Sequence, residues 1–223
     1  MNKKRNIIIS VLLTIISGIY IYLVKTIDVK KIGPNNSKVG FSTLNNWFKK
    51  LIGTNMDIYK LTEVLGLVII LIVGIYGLIG LIQLIKRKSL FKVDREIISL
   101  GILYILMVLV YVFFEKFIIN YRPILIDNEL EASFPSSHTV LALCICISSL
   151  IVSKKYLNNV FYNITTFITV LLLTLVFVGR IVSGVHWISD IIGGVIISAT
   201  LLMYFYTILK WKKEDSYDKR RNK

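Results

Sequence analysis

The sequence predicts an all-α fold, a bundle of six membrane-spanning helices with both termini cytoplasmic and a candidate active site at the extracytoplasmic face. Three observations predict it. First, 55% of the 223 residues are hydrophobic and the mean hydropathy is +0.71, more apolar surface than a soluble chain of this length can cover. Second, the apolar residues gather into six runs, most of them near the length of ~20 residues that spans a bilayer. Third, the basic residues cluster at the ends of those runs. The net charge of +14, from 27 basic and 13 acidic residues, therefore points to anionic lipid headgroups rather than nucleic acid.

The spans follow in order within a single domain, 1–223. The first, 6–24, comes after Lys3, Lys4 and Arg5. No small-x-small cleavage pattern follows it, so an uncleaved helix is expected rather than a secretory leader. Within the long loop 25–60, the stretch 41–52 (FSTLNNWFKKLI) predicts a short amphipathic helix in the membrane interface. The second span is 61–85, where Gly74, Gly77 and Gly80 are expected to admit close helix packing. The third is 97–117. The fourth, 139–152, is short and is expected to extend back to His138 and forward past Lys154. It carries the two cysteines, Cys144 and Cys146, as packing residues. The fifth is 161–177. The sixth is 187–209, with Gly193 and Gly194 in a packing role. The tail 210–223 mixes both charges and reads as a solvated, partly disordered anchor.

The positive-inside rule sets the orientation. Lys3, Lys4 and Arg5, the cluster Lys86, Arg87, Lys88, Lys92 and Arg95, the pair Lys154 and Lys155, and the tail all fall on one side after six crossings. That side is expected to be the cytoplasm. The loop 25–60 opposes the pattern with seven lysines, but long outer segments are translocated largely regardless of charge. Two short segments, 116–138 and 179–190, then remain outside, and they hold the residues with chemical potential.

The chain has two histidines, both at the outer starts of helices. His138 closes Phe134-Pro135-Ser136-Ser137-His138. Proline and serine begin helices, and a helix start presents unpaired N–H groups and a positive dipole end, which suit a phosphate. His186 lies in Gly179-Arg180-Ile181-Val182-Ser183-Gly184-Val185-His186-Trp187-Ile188-Ser189-Asp190. Asp190, four residues on, would share a helical face with it. A carboxylate there would accept the imidazole N–H, fix the tautomer and leave the other nitrogen free to attack. Arg122 and Arg180 are isolated outer arginines whose planar donor forks match phosphate oxygens. Each feature alone also has an ordinary structural explanation: a helix cap, a His–Asp pair, interfacial snorkelling.

Together these blocks resemble the type 2 phosphatidic acid phosphatase family, whose pattern is Lys-x6-Arg-Pro, then Pro-Ser-Gly-His, then Ser-Arg-x5-His-x3-Asp. This chain has Arg122-Pro123, Pro135-Ser136-Ser137-His138 and Arg180-x5-His186-x3-Asp190 in the same order, over the stretch 115–190. Three positions depart. Ser137 replaces a glycine, Gly179 replaces a serine, and Glu115 stands at the lysine position with Lys116 one residue later. On a helix that shift turns a side chain by about 100°.

The resemblance implies a metal-independent lipid phosphatase with no cofactor. His186 would be the nucleophile, oriented by Asp190, and His138 the general acid. Arg122, Arg180, Ser136, Ser137 and Lys116 would hold the phosphate. The implied substrate is a lipid phosphate in the bilayer: a polyprenyl diphosphate of the undecaprenyl diphosphate type, phosphatidic acid or phosphatidylglycerol phosphate. An outer site mildly favours the first. The competing reading is a non-catalytic protein on the same fold that binds or transports a lipid phosphate, for which the displaced lysine is the best argument. A transporter in the usual sense fits less well, since the ionisable residues gather at one face rather than the midplane.

Overall fold

The computed structural model describes residues 3–221. Its order is helix α1 (Lys3–Thr26), strands β1 (Lys30–Lys31) and β2 (Lys38–Val39), and helices α2 (Ser42–Ile52), α3 (Met56–Arg87), α4 (Arg95–Lys116), α5 (Ser137–Tyr156), α6 (Asn159–Ser183) and α7 (Ile188–Arg221). Six of these helices, all but α2, contain a segment long and apolar enough to cross a membrane. The expected six-span, all-α architecture is therefore present. The expected tail continues the backbone of α7 through Arg221 rather than breaking from it, and Asn222 and Lys223 lie outside the described residues.

Polarity explains which helices stand at the centre. The spanning windows of α5 and α7 are 56% and 50% buried, whereas the other four are at most 28% buried. Buried helices need not present a lipid face, so they tolerate Ser and Thr. That is why the sequence shows α5 as a short apolar run although the helix has 20 residues. Its Ser148, Ser149 and Ser153 hydroxyls donate back to the carbonyls of Ile145, Cys146 and Leu150, so their burial leaves no unsatisfied donor. Cys144 and Cys146 are free and buried in the same helix.

Helix α1 packs on α7 through hydroxyl pairs: Ser10–Thr207 at 3.3 Å, Thr14–Tyr204 at 2.9 Å and Ser17–Thr200 at 2.9 Å. Such contacts serve between spans, where apolar side chains gain little by leaving lipid. At the opposite end from the candidate site, Asp94 accepts from Gln83 Nε2 at 3.1 Å, Arg87 Nη1 at 2.7 Å and Tyr156 Oη at 2.7 Å, and pairs with Lys155 at 3.2 Å. One carboxylate thus ties α3, α4 and α5 together.

The expected interfacial helix is α2. Its Asn45 is fully buried and clamps the start of α7, donating to Ser189 Oγ at 2.9 Å and accepting from Ser189 N at 3.1 Å. Lys49 donates to the Gly184 carbonyl at 2.6 Å. On its other side Leu44, Trp47 and Leu51 are exposed. The helix therefore braces the loop that carries His186 while turning an apolar face outward.

The glycines divide. An added Cβ at Gly74 or Gly77 would meet nothing within 4 Å, so their expected packing role is not seen: both face outward. Gly80 does pack, with Ile97 Cγ2 2.8 Å from such a Cβ, and Gly193 and Gly194 admit Phe134 and Thr139. The tightest interspan approach concerns Gly179, whose added Cβ would fall 2.4 Å from Thr62 Cγ2 of α3. The serine expected there from the resemblance has no room.

Gly179→Ser should therefore destabilise the protein by about 1–3 kcal/mol through overpacking. Thr62→Ser removes Cγ2 yet keeps the hydroxyl that donates to Tyr59 O at 2.7 Å, so the double variant should recover most of the loss. Melting in detergent of the two single variants and the pair checks this; a Gly179→Ser protein as stable as the wild type would show that α6 and α3 do not meet there.

Candidate active site

Two connections converge at one end of the bundle. The first links α4 to α5. Its backbone doubles back, with isolated bridges pairing Tyr121 with Ala132 and Ile126 with Glu129. The turn is made by Asp127 and Asn128, both at positive φ, a conformation that short polar side chains tolerate. Arg122 N donates to Glu131 O at 3.0 Å and Arg122 Nε lies 2.9 Å from Glu131 Oε2. The second connection, between α6 and α7, turns on Gly184 at φ 61° and carries His186.

His186 is 4% exposed. Its Nδ1 lies 3.1 Å from the Ser133 carbonyl. A carbonyl only accepts, so Nδ1 carries the proton and Nε2 the lone pair. Among the described residues Nε2 has no hydrogen-bond partner, and His186 lines the main cavity of the site. Burial, reinforced by the charges of Arg122, Arg180 and His138, holds the imidazole well below its usual range. At neutral pH it is uncharged, with a free nitrogen at the cavity wall.

The expected partner of His186 was Asp190, and the structure corrects this. The shared-face argument presumes that both residues lie within one helix, but α7 begins at Ile188 and His186 sits in the turn before it. Asp190 instead accepts from Trp187 N at 3.1 Å, Asn120 Nδ2 at 3.0 Å and Ser189 Oγ at 3.4 Å. Its own carbonyl accepts from Ser136 N at 3.1 Å. Asp190 joins the α4–α5 connection, the start of α5 and the start of α7. Its effect on His186 is indirect, through the position of the segment that carries Ser133.

Behind His186 lies a second cluster. Arg180 is fully buried. Its Nη2 donates to Glu63 Oε1 of α3 at 2.5 Å and also contacts His138 Nδ1. Glu63 Oε2 is 3.4 Å from His138 Nε2. The Tyr59 ring lies beneath both guanidinium groups, 5.0 Å from Arg180 Cζ and 5.9 Å from Arg122 Cζ. Among the described residues Arg180 Nε and Nη1 and Arg122 Nη1 have no hydrogen-bond partner. Buried guanidinium donors without acceptors are costly, and an anion bound between them would satisfy them.

The cavity has a volume of about 700 Å³ and reaches from Arg122, Ser137, His138 and His186 to an apolar wall formed by α4 and α5, including Met107, Val108, Phe114 and Leu141. The expected phosphate-binding residues separate here. Arg122 and Ser137 line the cavity, but Arg180 and Ser136 do not. The backbone N–H of Ser136 is already given to Asp190, which removes it from phosphate binding. Lys116 is exposed and off the cavity, whereas Glu115 lines it. The one-residue shift therefore turns the lysine away and puts a carboxylate in its place.

Sequence reasoning missed Glu63, Tyr59, Glu131, Asn120 and the carbonyl of Ser133. Glu63 had a signal: it is a carboxylate inside the second predicted span, where an ionisable residue is functional by default. A backbone carbonyl brought in from 53 positions away has none.

The model of the PAP2 superfamily matches residues 99–214. No curated protein matches the chain. Among solved structures, one described as the first transmembrane PAP2 type phosphatidylglycerolphosphate phosphatase from Bacillus subtilis is similar with a TM-score of 0.61 at 17% identity, covering 92% of this chain and 96% of that one. At that identity the likeness is one of fold.

The neutral His186 has a consequence for stability. As pH falls through ~6.5, an unfolded chain takes up a proton that the folded site refuses, so stability is full above that pH and declines below it. The melting temperature of the wild type in detergent should fall more steeply from pH 7 to 5 than that of His186→Gln. Equal slopes would mean that His186 is protonated in the folded protein.

Proposed function

The chain belongs to the PAP2 superfamily, in general class a lipid phosphatase of the membrane, and we propose that it hydrolyses a phosphomonoester or diphosphate of an amphiphilic lipid, without a metal, through a phosphohistidine on His186. The observation that carries this is the unpartnered lone pair of His186 Nε2, at a cavity it shares with Arg122 and His138.

The geometry supports the following roles. His186 Nε2 attacks phosphorus as the bond to the leaving oxygen breaks. The Ser133 carbonyl holds the Nδ1 proton and stabilises the ring as it becomes positive. His138, as the charged imidazolium, protonates the leaving oxygen and is left as the neutral imidazole, whose Nδ1 faces the Arg180 guanidinium. Water then attacks the phosphohistidine, His138 takes its proton, and inorganic phosphate leaves. Arg122 and the start of α5 at Ser137 lie where negative charge gathers on the phosphoryl oxygens. Arg180 acts from behind His138. Fixed guanidinium groups supply the positive charge that Mg²⁺ supplies in other phosphoryl transfers.

The apolar wall between α4 and α5 supports a lipid tail entering from the bilayer side. The basic clusters at the far end of the bundle support an extracytoplasmic site and cytoplasmic termini. Polyprenyl diphosphate, phosphatidic acid and phosphatidylglycerol phosphate are the candidate substrates, with an outer site favouring the first. The second reading, a protein that binds or moves a lipid phosphate without cleaving it, is favoured by Glu115 at the cavity where a lysine would stand.

Phosphate release from the three lipids, assayed side by side in detergent, should show turnover of at least one. EDTA should leave the rate unchanged. His186→Ala should lower kcat by about 1000-fold or more with the melting temperature preserved, and acid-labile phosphate should be trapped on the wild type alone. Vanadate binding with no turnover of any of the three lipids would instead establish the binding protein.

A further inference from the structure

Helix α3 contributes none of the residues that the family pattern names, yet it is shaped around His138. Gly66 faces the ring: a Cβ there would lie 2.7 Å from both His138 Cδ2 and Nε2. The imidazole therefore rests directly on the α3 backbone. One turn earlier Glu63 meets the same ring, its Oε2 3.4 Å from His138 Nε2. The other oxygen, Oε1, accepts from Arg180 Nη2 at 2.5 Å, and that same nitrogen contacts His138 Nδ1. Carboxylate, guanidinium and imidazole close a ring of three contacts, with each partner on a different helix: α3, α6 and α5.

We propose that Glu63 is a positioning residue of the phosphatase site, which fixes the orientation of His138 and offsets the positive charge around it so that the imidazole takes up the second proton that the leaving oxygen needs. The charges facing this imidazole are Arg180 from α6, Arg122 from the α4–α5 connection and Glu63 from α3. His186 is its other titratable neighbour. Both arginines oppose a second positive charge on the ring. Glu63 is the negative charge in contact with it, and its removal leaves the imidazole beside two guanidinium groups without compensation. The same carboxylate is the counterion of Arg180. Arg180 stands off the cavity wall, so Glu63 acts on proton transfer rather than on substrate binding.

This assignment rests on the phosphatase reading, and the test separates the two. In Glu63→Gln, kcat at pH 7.5 should fall about 10- to 100-fold while KM stays level or drops. The alkaline limb of the kcat profile should move about one unit to lower pH, so that activity recovers in part on acidification. Glu63→Asp, which keeps the charge, should restore most of the rate and most of the melting temperature that Glu63→Gln loses with the counterion of Arg180. The chain has only two histidines, so His138 is assigned in a ¹³C-histidine NMR titration by elimination with His186→Gln. Its titration should move in the same direction in Glu63→Gln whether or not any of the three lipids is turned over. A wild type inactive on all three lipids would overturn the phosphatase reading and leave this shift to decide the role of Glu63. An unmoved His138 titration, or a loss of kcat equal at every pH with a raised KM, would overturn the assignment.

Discussion

A guanidinium cannot shed its charge, and burying one inside a helical bundle constrains everything near it. Arg180 has no exposed surface, so its compensation must come from other helices. Glu63 supplies it from α3, and the Tyr59 ring, one turn earlier on α3, covers a face of the guanidinium. To bring that carboxylate within 2.5 Å, α3 and α6 must approach closely. Gly179, one residue before Arg180, makes the approach possible against Thr62, one residue before Glu63. The same contact seats His138 over Gly66. The site is thus a consequence of satisfying one buried charge between three helices.

Arg122 repeats the solution in the α4–α5 connection. It is 8% exposed and is paired with Glu131 within its own connection. Each arginine of the site therefore has a carboxylate beside it. A lipid phosphate that binds there displaces or adds to an existing balance, and does not meet two bare charges. This limits how tightly a simple anion can be held.

The sequence made the scaffold legible because spans are written in local composition. The six runs, the basic clusters and the outer amphipathic helix each depend on neighbours within about 20 residues. The order of Arg122, His138, Arg180, His186 and Asp190 was legible for the same reason. What could not be read was which atom faces which. The His186–Asp190 pairing assumed helical geometry through residues that form a turn, and the true acceptor, the Ser133 carbonyl, is a backbone atom that no residue type announces. Glu63 belongs to a different kind of miss. Its position in an apolar run marked it as unusual, but only the crossing of α3 over α5 and α6 tells what it serves.

Glu115 and Lys116 show how a shift of one residue redistributes a task. At the last turn of α4, Lys116 points away and Glu115 takes the cavity wall. A lysine at that wall would add a positive charge to the cavity that Arg122 lines. Glu131 lines the same cavity and is already paired with Arg122 at 2.9 Å. The lysine that the family pattern places beside the phosphate is thus replaced at the cavity wall by a second carboxylate, and the net positive charge of the wall falls accordingly.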